Sequence, residues 1–434
     1  MERDIDTKLI AWAKSKFRKP LVIRGARQVG KTYSVCKFGE KYFEIFIKLD
    51  FERDRMLHRV FEGDLSTERL VLELEMHANT RIQPGKTLLF FDEIQECERA
   101  LLSLRYFYEE IPELHIIVAG SMLEFTLGSI SFPVGRVSFE WMRPMTFYEF
   151  LNASGKKMLA DKLPCISNFS PVSETIHIKI IEQLKLYLLS GGMPESVKRF
   201  CRTGSLSQSF TAHEEIYQSY LQSLVKYNKR AAIDSLDHLM RSVPSHVGSQ
   251  IKYTRLDPDQ RIEKTKASLR ILEQALVLQI VKSSDAAGLP LNANASPKVM
   301  KLLFLDVGLM QYNCGIYPPD ILKAKDLSNV YKGALAEQFV GQELLAAGGS
   351  ENFKLFYWSR AKKSSSAEVD YLYVKKGRIF PIEVKSGPGG KLKSLHIFLN
   401  EHPNIKKGYV MSPVVFEKQH VDRLTFIPVY TRFV

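Results

Sequence analysis

The 434-residue chain is short of several features that would narrow its class. Its five cysteines, Cys36, Cys97, Cys165, Cys201 and Cys314, include no C-x-x-C pair. That argues against a disulfide framework or a thiolate metal site, and for reduced thiols in a cytoplasmic protein. No apolar run approaches the roughly 18 residues of a membrane span. The opening Met1-Glu2-Arg3-Asp4-Ile5-Asp6 has no secretory apolar core, so no membrane contact is expected. Internal repeats and long low-complexity tracts are also lacking, which sets aside a repeat array and a largely disordered chain.

What is present is ordinary globular composition, 45% hydrophobic and 25% charged, over a length suited to two to four domains. The net charge of +13 is unevenly spread. Residues 1–155 hold 22 Lys and Arg against 23 Asp and Glu, and the remainder 39 against 25. A neutral part followed by a basic part makes a polyanion such as DNA a candidate partner for the second. A protein partner and a homo-oligomer stay open.

Gly25-Ala26-Arg27-Gln28-Val29-Gly30-Lys31-Thr32 is a complete G-x-x-x-x-G-K-[ST] phosphate loop. Leu21-Val22-Ile23 before it reads as a strand, and Thr32 to Lys37 as the start of a helix. The glycines let backbone N–H groups approach a phosphate, Lys31 can reach the β- and γ-phosphates, and the Thr32 hydroxyl can ligate Mg²⁺. The expected ligands are ATP and Mg²⁺. Strands are expected at 43–49, 87–93 and 115–121 and helices at 67–79 and 98–110, an alternation that predicts a parallel α/β sheet. Leu88-Leu89-Phe90-Phe91-Asp92-Glu93 has the form of a Walker B strand. Asp92 is then the magnesium carboxylate, and Glu93 orients or deprotonates the attacking water.

With these motifs the chain resembles the AAA+ ATPases. Ser121 falls where that superfamily places a polar sensor residue. Pro133-Val134-Gly135-Arg136-Val137-Ser138-Phe139, Arg143 to Leu151, Gly191-Gly192-Met193-Pro194-Glu195, Leu305-Asp306-Val307-Gly308-Leu309 and Gly333-Ala334-Leu335-Ala336-Glu337 are similar to one prokaryotic group. In that group the ATPase domain precedes a C-terminal domain of unknown function. The resemblance implies an arginine finger or sensor, with Arg136 the first candidate and Arg143 the second.

Residues 174–190 and 206–230 read as helices of a lid. From 231 to 300, short helices lead to a hairpin through Gly288-Leu289-Pro290, an order that suggests a winged helix, made basic by Lys252, Arg255, Arg261, Lys264 and Lys266. Further on, Ala367–Val374 and Ile379–Lys385 form a second hairpin. It sets Asp370 beside Glu383 and Lys385, and the last two, being two residues apart, share a face. With Glu337 on an earlier helix, this resembles the PD-(D/E)xK nuclease fold, in which Asp370 and Glu383 would hold a metal and Lys385 would act on water. A degenerate nuclease fold kept for binding is the alternative. The expected organisation is an α/β protein with an AAA+ domain (1–155), a helical lid (156–230), a winged helix (231–300) and a nuclease-like domain (301–434).

Overall fold

Leu88, Leu89, Phe90 and Phe91 are fully buried, as a strand covered on both faces requires. In the computed structural model they form β3 (Thr87–Asp92). The structure describes every residue except 122, 128–134, 169, 228–232, 317–331, 350–352, 361–366, 388–391, 414–419 and 434. Pro133 and Val134 of the sequence motif therefore lie outside the described residues. The chain divides into two units, Met1–Arg143 with Gly349–Glu351, and Pro144–Gly348 with Asn352–Val434.

In the first unit β3 joins β1 (Leu21–Arg24), β2 (Ile45–Asp50), β4 (His115–Ala119) and β5 (Ser138–Trp141). The order is β2-β3-β4-β1-β5 and every pairing is parallel. Helices Lys31–Tyr42, Thr67–Ala78 and Glu98–Glu110 lie in the crossovers that parallel neighbours need. Phe51, Phe61 and Phe91 fill one face of the core, with ring centroids 5.6–5.9 Å apart. Parallel pairing brings Gly25, Asp50, Asp92 and Gly120 to one edge, where α/β sheets bind ligands.

The second unit opens with helices Phe147–Ala153, Glu174–Ser190, Pro194–Thr203 and Leu206–Tyr227. Helices Ile233–Ser242 and Ile262–Gln274 precede an antiparallel hairpin of β6 (Leu278–Ser283) and β7 (Ser296–Phe304). β8 (Phe356–Ser359) pairs in parallel with β6, so this hairpin is the edge of a larger sheet. The other strands are β9 (Glu368–Lys375), β10 (Arg378–Val384), β11 (Gly408–Ser412), β12 (His420–Val421) and β13 (Leu424–Pro428). The order is β12-β13-β11-β10-β9-β8-β6-β7. Residue 300 lies inside β7, and the division between the units falls at Arg143–Pro144, ahead of residue 155. Lys376 and Gly377, at φ +47° and +69°, make the two-residue turn that sets β9 against β10. No described helix is long and apolar enough to cross a membrane.

Two of the short sequence signatures meet in this unit. Asp306 is fully buried, and its Oδ1 accepts from the Gly308 and Leu309 N–H groups at 3.0 Å each, capping helix Val307–Asn313. Its Oδ2 accepts from the Gly192 N–H at 2.6 Å. Gly191 has φ +66°, and a Cβ there would lie 2.1 Å from Asp306 Oδ1, so no side chain fits. These motifs hold the fold together. Asp306→Ala would leave three buried N–H groups without an acceptor. It should destabilise the second unit by on the order of 3–5 kcal/mol in denaturant unfolding.

His115, buried between Trp12 and Phe43 with centroids 5.8 and 4.8 Å away, is held neutral. Burial, with Arg18 nearby, lowers its pKa to about 4. The unfolded chain therefore takes up this proton first, and stability falls as pH drops through 6.5 toward 4. Between pH 7 and 5 the wild type should lose about 2 kcal/mol more than His115→Phe, measured as unfolding free energy of the first unit.

Candidate functional site

The first site forms where β1 ends. An added Cβ at Gly25 would lie 2.3 Å from Met142 O, so only glycine lets the loop turn there, and Gly30 caps the following helix at φ +94°. Arg3 fastens the loop from outside. Its guanidinium donates to Val29 O at 2.9 Å and to Arg143 O at 2.8 Å.

Lys31 is buried, and its Nζ donates to Gly25 O at 2.7 Å and Ala26 O at 2.8 Å. Burial lowers its pKa to about 8, against the pull of Glu93, Asp92 and Glu124. An ammonium whose hydrogen bonds among the described residues go to two loop carbonyls is placed to exchange them for phosphate oxygens. Thr32 Oγ1 donates to Asp92 Oδ1 at 3.0 Å, and Lys48 Nζ lies 2.9 Å from Asp92 Oδ2. Burial raises the Asp92 pKa, and the Lys48 and Thr32 contacts oppose the rise. A hydroxyl and a carboxylate side by side are the hard oxygen donors that Mg²⁺ takes, so the pair fits the expected ion.

Glu93 leaves β3 at φ +50°, a left-handed conformation unusual for a glutamate. Its Oε2 accepts from Gln95 Nε2 at 2.7 Å and from the Ser121 backbone N–H at 3.1 Å. Gly120 keeps this passage open, since a Cβ there would lie 2.0 Å from Gln95 Oε1. Ser121 thus reaches the site through its main chain, and Gln95, Lys48 and Arg3 are supports that the motif reading missed. Gln95 lies two residues past Glu93, close enough in sequence for spacing alone to point to it.

The two arginines lie at opposite ends of β5. Because β5 runs parallel to β1, Arg143 follows the end that the phosphate loop shares, while Arg136 precedes the other end and pairs with Glu109 at 3.1 Å. Arg143 lies 5.5 Å from the Trp141 ring centroid and its Nε is buried with no hydrogen-bond partner among the described residues. Burial lowers its pKa to about 10, with Glu124 opposing. Arg24 covers Trp141 at 4.4 Å and is paired with Glu124.

The second cluster is in the other unit. Lys385 Nζ donates to Glu383 Oε1 at 2.7 Å, so the two do share a face. Asp370 Oδ2 accepts from the Val384 N–H at 2.8 Å, which places Asp370 beside them. The sequence reading did not anticipate Lys301 of β7. It is 2% exposed, and its Nζ lies 2.9 Å from Glu337 Oε2 and 3.0 Å from Asp370 Oδ1, and also pairs with Glu368. Burial disfavours this ammonium, but Asp370, Glu337 and Glu368 outweigh burial and hold its pKa well above normal. Burial and Asp370 raise Glu337 to about 8 and Glu383 to about 7.

Three families match parts of the chain. Residues 17–151 match one described as AAA domain, residues 181–320 a domain of unknown function (DUF8612), and residues 332–431 another (DUF4143). No curated protein matches. Among solved structures, a Walker-type ATPase of Pyrococcus abyssi is 14% identical with a TM-score of 0.47, over 72% of this chain and 95% of that one. A signal-transduction ATPase with numerous domains and a tetratricopeptide repeat sensor, from Pyrococcus horikoshii, is 14% identical with a TM-score of 0.28, over 80% and 45%. The Orc1 protein of Aeropyrum pernix in complex with DNA is 11% identical with a TM-score of 0.27, over 74% and 92%. The match to the AAA domain spans the phosphate loop, Asp92, Glu93, Ser121 and both arginines, and supports ATPase activity for this part of the chain.

Gln95→Ala frees one side of Glu93 without touching the phosphate loop. It should lower kcat for ATP on the order of 10- to 100-fold with little change in KM. Ser121→Ala keeps the N–H that Glu93 uses and should retain most of the activity; steady-state kinetics of both variants checks the assignment.

Proposed function

We propose that ATP hydrolysis in the first unit switches the second unit between states that hold and release the phosphate backbone of DNA. The observation that carries the ATP half is the convergence of Lys31, Thr32, Asp92 and Glu93 on one edge of the parallel sheet. Lys31 trades its two loop carbonyls for the β- and γ-phosphates. Glu93, fixed by Gln95 and Ser121, orients the attacking water and accepts its proton. Thr32 and Asp92 would hold Mg²⁺, which when bound neutralises charge on the phosphate oxygens. Lys48 keeps Asp92 ionised and in place. Arg143 serves as the sensor within one chain, and Arg136, at the far end of β5, serves only as a finger offered to a second copy.

The DNA half rests on charge placement. Lys252, Arg255, Arg261, Lys264 and Lys266, around the helix that precedes the β6–β7 hairpin, are all exposed, and none forms an ion pair among the described residues. Exposed cations in a helix-and-hairpin segment, the order of a winged helix, suit phosphate contacts that carry no base specificity.

Lys31→Ala should abolish ATP turnover, while Glu93→Gln should still bind ATP but stall hydrolysis, read by nucleotide binding and phosphate release. Mixing Lys31→Ala with Arg136→Ala subunits should restore part of the turnover if Arg136 acts across subunits; unchanged activity of Arg136→Ala alone would remove it from the mechanism. DNA affinity should fall steeply with salt, and Arg261→Glu with Lys264→Glu should flatten that slope by about one unit per lost phosphate contact. Salt-insensitive association, or none, would point instead to a protein partner.

A further inference from the structure

The carboxylates of the second unit form the place where a nuclease-like fold would keep its metal, so the residues there can be tested against that ion. Asp370 has both oxygens engaged by N–H donors, Oδ1 by Lys301 Nζ at 3.0 Å and Oδ2 by the Val384 N–H at 2.8 Å. Glu337 Oε2 is engaged by the same ammonium at 2.9 Å, and Glu383 Oε1 by Lys385 Nζ at 2.7 Å. Glu368 pairs with Lys301 too and accepts from Gln250 Nε2. Glu337, Glu368 and Asp370 thus surround one nitrogen at hydrogen-bonding distance, and Glu383 Oε2 is buried with no hydrogen-bond partner among the described residues, whereas Mg²⁺ needs oxygens at about 2.1 Å in octahedral array. Among the described residues, no group of three or more His, Cys, Asp or Glu side chains is arranged to hold a metal. The metal does not fit.

We infer that Lys301 is the resident cation of this centre, a tethered ammonium standing where the fold would otherwise bind a divalent ion, and that the second unit handles its ligand without metal-dependent cleavage. The arrangement is built for that role. Lys301 on β7 draws together Glu337 from helix Lys332–Gly348 and Glu368 and Asp370 from β9, while Lys385 answers Glu383 at the end of β10. A divalent ion entering among them would meet an ammonium at the same oxygens, and like charges at that separation repel strongly in a buried setting. Lys301 cannot withdraw without leaving its partners' negative charge unanswered, and it has no water to withdraw into at 2% exposure. The inference concerns the second unit alone and does not depend on how ATP is hydrolysed.

The test is calorimetric titration of the full-length protein, free of nucleotide, with MnCl₂ and with MgCl₂. Wild type should show no saturable site that Asp370→Asn or Glu383→Gln removes. Lys301→Gln, which drops the charge and leaves a polar side chain one atom shorter, should gain one Mn²⁺ site, and Lys301→Gln combined with Asp370→Asn should lose it again. Supercoiled plasmid should stay intact with wild type in Mn²⁺ or Mg²⁺, with or without ATP. A wild-type Mn²⁺ site abolished by Asp370→Asn, or nicking that this variant abolishes, would overturn the inference. So would a folded Lys301→Gln that gains no metal. Should Lys301→Gln fail to fold, the wild-type titration and the plasmid assay still decide.

Discussion

An ammonium taken out of water loses its hydration, and the protein has to replace it with oxygen or accept a shifted equilibrium. This chain buries two functionally placed lysines and treats them in opposite ways. Lys31 is given two backbone carbonyls, so burial wins and its pKa falls to about 8. Lys301 is given three carboxylates, so the partners win and its pKa rises. The first is a cation still wanting an anion, which is what a phosphate-binding loop requires. The second already has three anionic partners.

The rest of the first unit serves to hold Lys31 and the acidic pair in register. Parallel pairing carries the end of β1, the end of β3 and the Gly120-Ser121 turn to the same edge. From there, short contacts do the positioning: Thr32 to Asp92, Asp92 to Lys48, Gln95 and the Ser121 N–H to Glu93. Arg3, the residue before helix Asp4–Lys14, fixes both the loop at Val29 and the β5 exit at Arg143. Each contact is modest by itself. Together they restrain groups that must act within a fraction of an ångström.

The second unit organises its signatures differently. Gly191, Gly192 and Asp306 lie far apart in sequence and meet because a buried carboxylate that caps a helix leaves no volume for side chains at the glycine turn. In the sequence these motifs carry a family resemblance and no assigned chemistry. Here they are what packing uses. The β9–β10 turn shows the converse, a local feature fully readable from Lys375-Lys376-Gly377-Arg378, since a two-residue turn between alternating strands has few backbone solutions.

The sequence alone determined the phosphate loop, the Walker B strand and the parallel alternation around them. It also placed helices such as Glu98–Glu110 and Glu174–Ser190 at their observed limits, and set Glu383 and Lys385 on one face. All of these depend on residues within a few positions of one another, where chain geometry converts spacing into direction. Tertiary structure decided the rest. That Arg136 lies at the end of β5 away from the phosphate loop follows from strand direction in the assembled sheet. That the Ser121 N–H reaches the same oxygen of Glu93 as Gln95 follows from β4 lying beside β3. The identity of the cation among Glu337, Glu368 and Asp370 turned on Lys301, a residue of a strand at the opposite edge of the chain's largest sheet from β12, with no motif to announce it. Electrostatic partners are chosen by distance in space, and a linear sequence records only distance along the chain.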